Sequence, residues 1–399
     1  MEFVIKQSVL KDELGFVQGI VEKKSTIPVL SNILIESVGE NTIRIVGTDL
    51  DVTIRCEAEA DIKKAGSMCI QARKLFDIIR LLPDADVHFT KEENDWVKLK
   101  CGKSNFRLAG VSREQFPEVP SFKSAPMKLS AEIFNHFIHN TAFAITNEQS
   151  RFTLSGAKFM IDGAKARMVT TDGHRLAYIE KQLTGNSADA ATMDALIPKK
   201  ALMELTKIAR ADAGEVSFGE DENHIYFEVG GRLLITRKLS GSFPNYEMVI
   251  PKDNDKTAVF DAEAMKNAIR RVSLMADERT RSVRITIKPN EIEIGAQSSE
   301  EGEADERIAA EYAGEEVTIG FNSQYLQEFL NVVGSGEIAS AESGETLEKE
   351  TDGDTVRVKE NAGRLRIAFE FKDGNAQTQL NIAGDKNYDY KYIVMPLRI

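Results

Sequence analysis

Apolar residues recur along the chain at two spacings. Leu10, Leu14 and Val17 fall at i, i+4 and i+7, one stripe of an amphipathic helix, and a short apolar strand at residues 3–5 leads into them. The same figure returns with Leu129 ahead of Phe134, Ile138 and Thr141, and again with Phe260 ahead of Met265, Ile269 and Val272. A second helical pattern repeats independently: Phe76 and Ile79 within 71–82, Leu202 and Leu205 within 197–208, Leu326 and Phe329 within 321–333. Both landmarks return after roughly 125 residues, which predicts three structural copies. Each is far longer than a solenoid repeat and is therefore a domain in its own right.

Between the helices the period changes to two. Residues 32–37, 42–46, 52–56, 97–100 and 105–108 alternate apolar with polar and are separated by Gly, Asn and Asp, the pattern of strands joined by hairpins. Each copy is expected to hold two helices and six to eight strands, an α+β fold with largely antiparallel sheets. Proline-rich segments read as the linkers: Phe116-Pro117-Glu118-Val119-Pro120, and Phe243-Pro244-Asn245-Tyr246 through Pro251. They place the domains at 1–124, 125–253 and 254–399. The third copy carries surplus residues at 334–363, rich in Gly, Glu, Ser, Thr and Asp, which read as an extended surface loop or mobile hairpin.

Composition narrows the class. With 42% hydrophobic and 29% charged residues the chain can build a sizeable core and stay in solution, and no apolar run reaches the length of a membrane helix. The start, Met1-Glu2-Phe3-Val4-Ile5, reads as a strand and not a signal peptide. Cys56, Cys69 and Cys101 are odd in number without CxxC spacing, which suits reduced core thiols and a cytoplasmic home. The net charge of −12 argues against a protein coated in cations for nucleic acid, but a single face can oppose the total. The predicted helices carry just such cations: Lys23, Lys24, Lys266, Arg270 and Arg271 on the first type, Arg73, Lys74, Arg80, Lys199, Lys200 and Lys207 on the second.

One stretch concentrates reactive groups. Thr171-Asp172-Gly173-His174-Arg175-Leu176 packs an acid, an imidazole and a guanidinium between two apolar runs. It reads either as an acid–base or metal site of a hydrolase or metalloenzyme using Asp172 and His174, or as a polar hairpin turn. Thr48-Asp49 echoes it about one repeat earlier, which favours a repeated architectural turn. His136 and His139 share a helix without completing a metal shell, and no HExxH, paired Cys/His spacing, GxGxxG, GxxxxGK[ST] or GxSxG occurs, so no metal and no cofactor is expected.

Taken with the repeat, several segments carry a resemblance across the whole chain: Ser25-Thr26-Ile27-Pro28-Val29-Leu30, Gly47-Thr48-Asp49-Leu50, Ala72-Arg73-Lys74-Leu75-Phe76-Asp77, Phe116-Pro117, the Thr171–Leu176 motif, Phe243-Pro244-Asn245-Tyr246 and the terminal Met395-Pro396-Leu397-Arg398-Ile399. The sequence resembles the bacterial sliding clamps, the beta subunits of replicative DNA polymerase III. That resemblance implies three repeated domains of the DNA-clamp type and a head-to-tail homodimeric ring with helices lining the hole. It implies a non-enzymatic processivity factor that encircles double-stranded DNA without sequence preference. Polymerase, clamp loader and repair polymerases would dock through short clamp-binding peptides.

Carried over by matching motif, the partner-peptide pocket comprises Leu154, Thr171, Gly173, His174, Arg175, Leu176, Pro244, Met248, Val249, Ile393, Val394, Met395, Pro396, Leu397 and Arg398. His174 and Arg175 are expected at its edge, and Met248 stands where the resemblance leads one to expect a basic residue. The implied DNA contacts are Lys24, Arg73, Asn147, Arg151 and Phe152. The implied dimer interface sets Lys74, Phe106 and Leu108 against Leu274 and Met275 of the other subunit. The 334–363 segment exceeds the family's usual length. A repeat scaffold that binds proteins but not DNA is the third reading.

Overall fold

The computed structural model describes residues 1–21, 27–120, 127–148, 150–183, 192–210, 214–299, 302–335 and 364–398. Among these, six α-helices alternate with strands in the predicted order: α1 (Gln7–Val17), α2 (Ala72–Ile79), α3 (Ala131–Thr141), α4 (Lys199–Ile208), α5 (Ala262–Val272) and α6 (Ser323–Ser335). The predicted stripes are the buried faces. Leu10, Leu14 and Val17 are buried, as are Phe134, Ile138 and Thr141, and Met265, Ile269 and Val272. Leu202, Leu205, Leu326 and Phe329 follow suit, while Phe76 is half-buried.

The second-type helices begin later than the periodicity suggests. Gln71, Ile197 and Phe321 end or lie within the preceding strands Ser67–Gln71, Met193–Pro198 and Val317–Asn322. Strand passes directly into helix there, so residues that fit either period are claimed by ladder pairing, as in Gln71 opposite Asn32 and Phe321 opposite Val283. At the other end α6 runs through Ser335, so the first two residues of the expected 334–363 loop are helical; residues 336–363 lie outside the described residues. Lys23 and Lys24 also lie outside them, beyond a helix that ends at Val17.

Each copy runs strand, helix, three strands, and then does so again. Copy one adds the short strands Asp61–Lys64 and Gly110–Val111 and so exceeds the six to eight expected. In copies one and three the two halves interlock, because the first strand of each half pairs with the second strand of the other. In copy one Glu2–Lys6 pairs with Asp86–Lys91, and Ser67–Gln71 with Asn32–Val38. In copy three Lys256–Asp261 pairs with Arg366–Phe371, and Val317–Asn322 with Ser282–Lys288. The exchange ties the two halves of these copies together through shared sheets.

The chain forms two compact units, Met1–Ile138 with Thr184–Ser240, and His139–Leu183 with Gly241–Ile399. In the first, strand Val52–Glu59 of copy one pairs antiparallel with Arg232–Arg237 of copy two, so one sheet runs through both. α1 packs against Val52–Glu59 and α2. Glu13 on α1 grips the join, its carboxylate accepting from Arg232 Nη2 at 2.6 Å and Nε at 2.9 Å. Arg232 lies opposite Cys56, whose thiol is pushed up by burial and then by the Glu13 charge. Cys56, Cys69 and Cys101 are all buried and free.

In the second unit, strand Arg175–Gln182 pairs antiparallel with Asp389–Val394, which carries copy two's sheet into copy three. One face of that sheet packs on helices. The Tyr392 ring stacks on Phe329 at 4.8 Å and its hydroxyl donates to the Tyr325 carbonyl at 3.0 Å. Tyr390 donates to the Asn140 carbonyl, and Thr170 to that of Thr141. The opposite face carries Met160, Val169, Leu176, Tyr178 and Ile393, and Phe243, Tyr246, Val249 and Ile250 lie on it. The proline segment expected to be a linker is therefore also the cover of a second small core.

Candidate functional site

The motif at 171–176 is the turn between strands Lys165–Thr171 and Arg175–Gln182. Thr171 Oγ1 donates to the Arg175 carbonyl at 2.6 Å and accepts from Gly173 N at 3.1 Å. Asp172 Oδ1 accepts from His174 N at 2.9 Å and Arg175 N at 3.1 Å. Copy one makes the same four bonds: Thr48 Oγ1 with the Val52 carbonyl and Leu50 N, Asp49 Oδ1 with Asp51 N and Val52 N. The turn demands a positive φ at its third residue, met by Gly173 at +91° and by Leu50 at +80°. Thr and Asp recur because their side chains close the hairpin.

The second carboxylate oxygen distinguishes the two turns. Asp49 Oδ2 meets Lys200 Nζ, whereas Asp172 Oδ2 accepts from Arg175 Nε at 3.0 Å. Arg175, expected at the edge of the pocket, is buried. Its Nη2 donates to the Phe143 carbonyl at 2.8 Å and its Nη1 lies 2.5 Å from Glu328 Oε2 on α6. The guanidinium sits 4.5 Å from the Tyr325 ring centroid. Burial opposes its charge, yet Tyr392 and Glu328 more than offset this and hold its pKa above the ordinary arginine value. With both oxygens of Asp172 engaged by the turn and by Arg175, this carboxylate is a turn-former and arginine anchor. His174 instead lies against the Tyr325 ring, 6.5 Å between centroids.

Over this turn lies an apolar cavity of about 90 Å³. The turn and its strands line it with Thr171, Gly173, Arg175 and Leu176, the proline segment with Pro244, Tyr246 and Val249, and the C-terminal strand and its end with Ile393 and Met395. The backbone of Met395 is pinned by a bond from its N to the His174 carbonyl at 3.0 Å, and that of Leu397 to the Gly320 carbonyl at 2.8 Å. Below the cavity Tyr246 and Tyr178 rings lie 6.0 Å apart, and Tyr178 donates to Glu180 at 2.8 Å. Glu180 also receives Lys165 at 2.8 Å and Arg167 at 2.5 Å. Burial would raise its carboxyl, but these three hydrogen bonds hold it at about 2.

Eight of the residues carried over for the pocket therefore surround one cavity: Thr171, Gly173, Arg175, Leu176, Pro244, Val249, Ile393 and Met395. Pro396 borders a neighbouring cavity together with Met395. Leu154 is buried, Val394 is buried opposite Arg175, and Met248 is exposed on a short 3-10 turn. Leu397 is half-buried and Arg398 exposed. Tyr246 is a wall that motif matching missed, although it stands in the quoted Phe243-Pro244-Asn245-Tyr246 segment.

Most of the other expected positions that the structure describes are exposed. Arg73 and Lys74 are exposed on α2, and neither has an ion pair among the described residues. Arg151 is held beside the turn, pairing with Glu148 at 3.0 Å and donating to the Asp172 carbonyl at 2.9 Å. Phe152 is 70% exposed, and Asn147 is exposed. Lys24 lies outside the described residues. Phe106 and Leu108 sit on strand Ser104–Leu108, Phe106 partly exposed; Leu274 is 75% exposed and Met275 half-buried in the turn after α5. Among the described residues no group of three or more His, Cys, Asp or Glu side chains is disposed to hold a metal ion, and no helix is long and apolar enough to cross a membrane.

Known proteins share this arrangement end to end. Models of the N-terminal, central and C-terminal domains of the DNA polymerase III beta subunit match residues 1–120, 128–245 and 247–352. The beta sliding clamps of Vibrio cholerae and Pseudomonas aeruginosa are 31% and 32% identical, each over the full length of both chains. The crystal structure of the Pseudomonas aeruginosa clamp bound to griselimycin is similar with a TM-score of 0.86 at 28% identity, again covering both chains completely. That of the Caulobacter crescentus clamp with bound polyethylene glycol gives 0.85 at 29%, with the same coverage. The chain thus belongs to the DNA polymerase III beta subunit family, the bacterial sliding clamps.

Proposed function

We propose that this DNA replication clamp works as a homodimeric ring without catalytic activity of its own. It encircles duplex DNA in the cytoplasm, slides, and tethers polymerase, clamp loader and repair polymerases by peptides seated in the apolar cavity. The observation that carries the ring is the pattern of open strand edges. Copy one joins copy two through Val52–Glu59 on Arg232–Arg237, and copy two joins copy three through Arg175–Gln182 on Asp389–Val394. The next strand in the first series is Gly302–Glu311. Beyond its pairing with Glu291–Ser298 it pairs, among the described residues, only with Val259 and Phe260, at Glu311 and Ala310. The missing member of the second series is Ser104–Leu108, which ends its sheet.

Two unmatched edges of the kinds that pair elsewhere in the chain are what a second copy would fill, head to tail. A heterologous contact of this sort makes a ring when its rotation closes. Phe106 and Leu108 lie on one edge. Leu274 and Met275 follow α5, which packs on Gly302–Glu311, and the exposure of Phe106 and Leu274 suits burial against a partner. Lys74 is exposed on α2 of copy one and would face the partner at this join.

A ring needs no tight grip on DNA. Lys24, Arg73, Asn147, Arg151 and Phe152 would touch it without reading sequence, since phosphate contacts exchange readily. The net charge of −12 keeps the exterior from binding nucleic acid elsewhere. The mostly apolar cavity, with Arg175 and the turn as its few polar groups, has the composition of a peptide pocket. The hydrolase reading loses its acid to the hairpin and finds no support among the relatives. The test is topological: clamp loaded on nicked circular DNA stays bound until the circle is cut and then runs off the ends. Retention after linearisation, or failure to load with an active clamp loader, would overturn the ring.

A further inference from the structure

The two joins between copies are built alike. At the second, Leu176 pairs with Ile393, and beyond that strand Met395 N donates to the His174 carbonyl at 3.0 Å and Leu397 N to that of Gly320 at 2.8 Å. At the first, Thr53 pairs with Ile235, Arg237 N donates to the Asp51 carbonyl at 2.9 Å and Leu239 N to that of Leu196 at 3.0 Å. The turns close with the same Thr and Asp bonds, and a Phe-Pro segment packs on the sheet at each. The hydrogen-bonded frame around the apolar cavity is therefore present twice in the chain. Its side chains are not: Leu50 stands for Gly173, Val119 for Tyr246, Arg55 for Tyr178 and Arg237 for Met395.

Those exchanges change the chemistry. Arg55 is half-buried and Arg237 exposed, and among the described residues neither guanidinium has an ion pair or a hydrogen bond. Neighbouring cations are engaged, Arg44 with Glu57 at 2.9 Å and Lys238 with Glu220 at 2.6 Å. Arg55 lies opposite Leu233, and Arg237 follows four residues later on that same strand, so the two share a face about 13 Å apart at the rise of a strand. Val119 packs on Leu233 and Ile235 between them, and Leu50 is 48% exposed at the turn. We infer that this face of the first join is a second docking surface, for an extended acidic peptide of a partner protein. Two carboxylates four residues apart meet Arg55 and Arg237, and an apolar residue between them meets Leu50 and Val119. Arginine forks suit carboxylates, and Arg55, set between Val46 and Leu233 in the ladder, has its stem already placed. A nucleic-acid backbone would offer phosphates but nothing apolar for Leu50. The surface is separate from the peptide pocket and takes from that reading only the repeated frame.

The probe is a fluorescein-labelled decapeptide, Gly-Thr-Glu-Thr-Leu-Thr-Glu-Thr-Gly-Ser, whose glutamates and leucine share one face when extended. On the full-length chain, fluorescence anisotropy should show saturable binding of one peptide per chain. Exchanging both glutamates for glutamine should weaken it about tenfold, as should Arg55→Gln combined with Arg237→Gln. Arg284→Gln with Arg364→Gln, exposed arginines of copy three, removes the same charge elsewhere and should leave binding unchanged. The Arg55→Gln, Arg237→Gln chain should keep its natural melting temperature and its affinity for the clamp-binding peptide of the polymerase, which shows it folded. No saturable binding of the decapeptide, equal binding of its glutamine form, a loss shared by the copy-three control, or displacement by the polymerase peptide would each overturn the second surface. A single-stranded oligonucleotide that displaces the decapeptide at equal concentration would assign the arginines to nucleic acid and overturn it too. Failure of the polymerase peptide to bind the natural chain would instead sink the peptide pocket, and the decapeptide measurements would still decide this surface.

Discussion

Arg175 Nη1 lies 2.5 Å from Glu328 Oε2, so an arginine that lines the apolar cavity is held by a carboxylate on α6. The pair joins a hairpin of copy two to a helix of copy three, and its arginine is buried. Removing the acid would leave that cation with Asp172, the Phe143 carbonyl, the Tyr392 hydroxyl and the Tyr325 ring. Glu328→Ala is expected to destabilise the chain by about 1–3 kcal/mol, less than for a fully buried pair because Glu328 is partly exposed. It should also weaken peptide binding, while Glu328→Gln, which keeps an acceptor, should lie between. Urea unfolding and peptide anisotropy check both, and an unchanged midpoint and affinity in Glu328→Ala would show that the pair contributes nothing.

Gly173 and Leu50 occupy the same place in equivalent turns at nearly the same positive φ. Since copy one carries leucine there, the conformation alone does not require glycine. A Cβ on Gly173 would come within 3.1 Å of Arg151 Nη1, and a longer side chain would stand at the cavity mouth. Gly173→Leu should therefore cost about 1–2 kcal/mol of stability from backbone strain. Peptide affinity should fall by more than the tenfold that corresponds to ~1.4 kcal/mol. Calorimetric melting and anisotropy separate the two effects; full peptide affinity in Gly173→Leu would remove this turn from the pocket.

The Glu180 carboxyl, held at about 2 by Lys165, Arg167 and Tyr178, makes stability depend on acid. Its folded pKa lies below the ordinary carboxylate value, so its contribution is complete above about pH 4.5 and is lost as pH falls toward 2. Glu180→Gln should flatten that part of the stability–pH curve, lowering stability at pH 7 by about 1–2 kcal/mol after allowing for screening of the exposed Lys165. Urea midpoints at pH 7 and at pH 3 test it. An equal loss at both pH values would mean that packing, not charge, is what the substitution disturbs.

Leu274→Asp with Met275→Asp places two carboxylates where the proposed ring must close over apolar surface. Charges buried there without partners should shift the chain to monomer, and equilibrium sedimentation reads this directly. Both positions are exposed or half-exposed in the single chain, so the monomer should keep its own melting behaviour. A dimer of unchanged affinity would place the join elsewhere.

Much of this molecule is legible locally. The i, i+4, i+7 stripes mark helix faces because an amphipathic helix buries one side wherever it docks, and all three first-type stripes are buried. The Thr-Asp turn is legible because its side chains bond within four residues, independent of anything distant. Helix starts are less so: Ile197 and Phe321 are apolar in either period, and only the neighbouring strand decides between them. The walls of the pocket reached the sequence reading through resemblance and not through pattern, and Tyr246 was missed because a tyrosine after a proline segment carries no local sign of the sheet it will cover.

By itself, then, the sequence determined the threefold repeat, the six helix faces and the hairpin at Thr171–Leu176, all consequences of periodicity or of bonds between near neighbours. Tertiary structure was needed to show that Arg175 is buried between Asp172 and Glu328, that Met395 borders both an apolar cavity and a polar one, and that, among the described residues, Ser104–Leu108 ends its sheet while most of Gly302–Glu311 has one strand neighbour. Those features depend on strand pairing between distant segments, as when Arg175 meets Val394 across a sheet. Backbone edges are chemically alike along every strand, so which edge finds which partner is settled by packing of the whole chain and not by the residues of either strand alone.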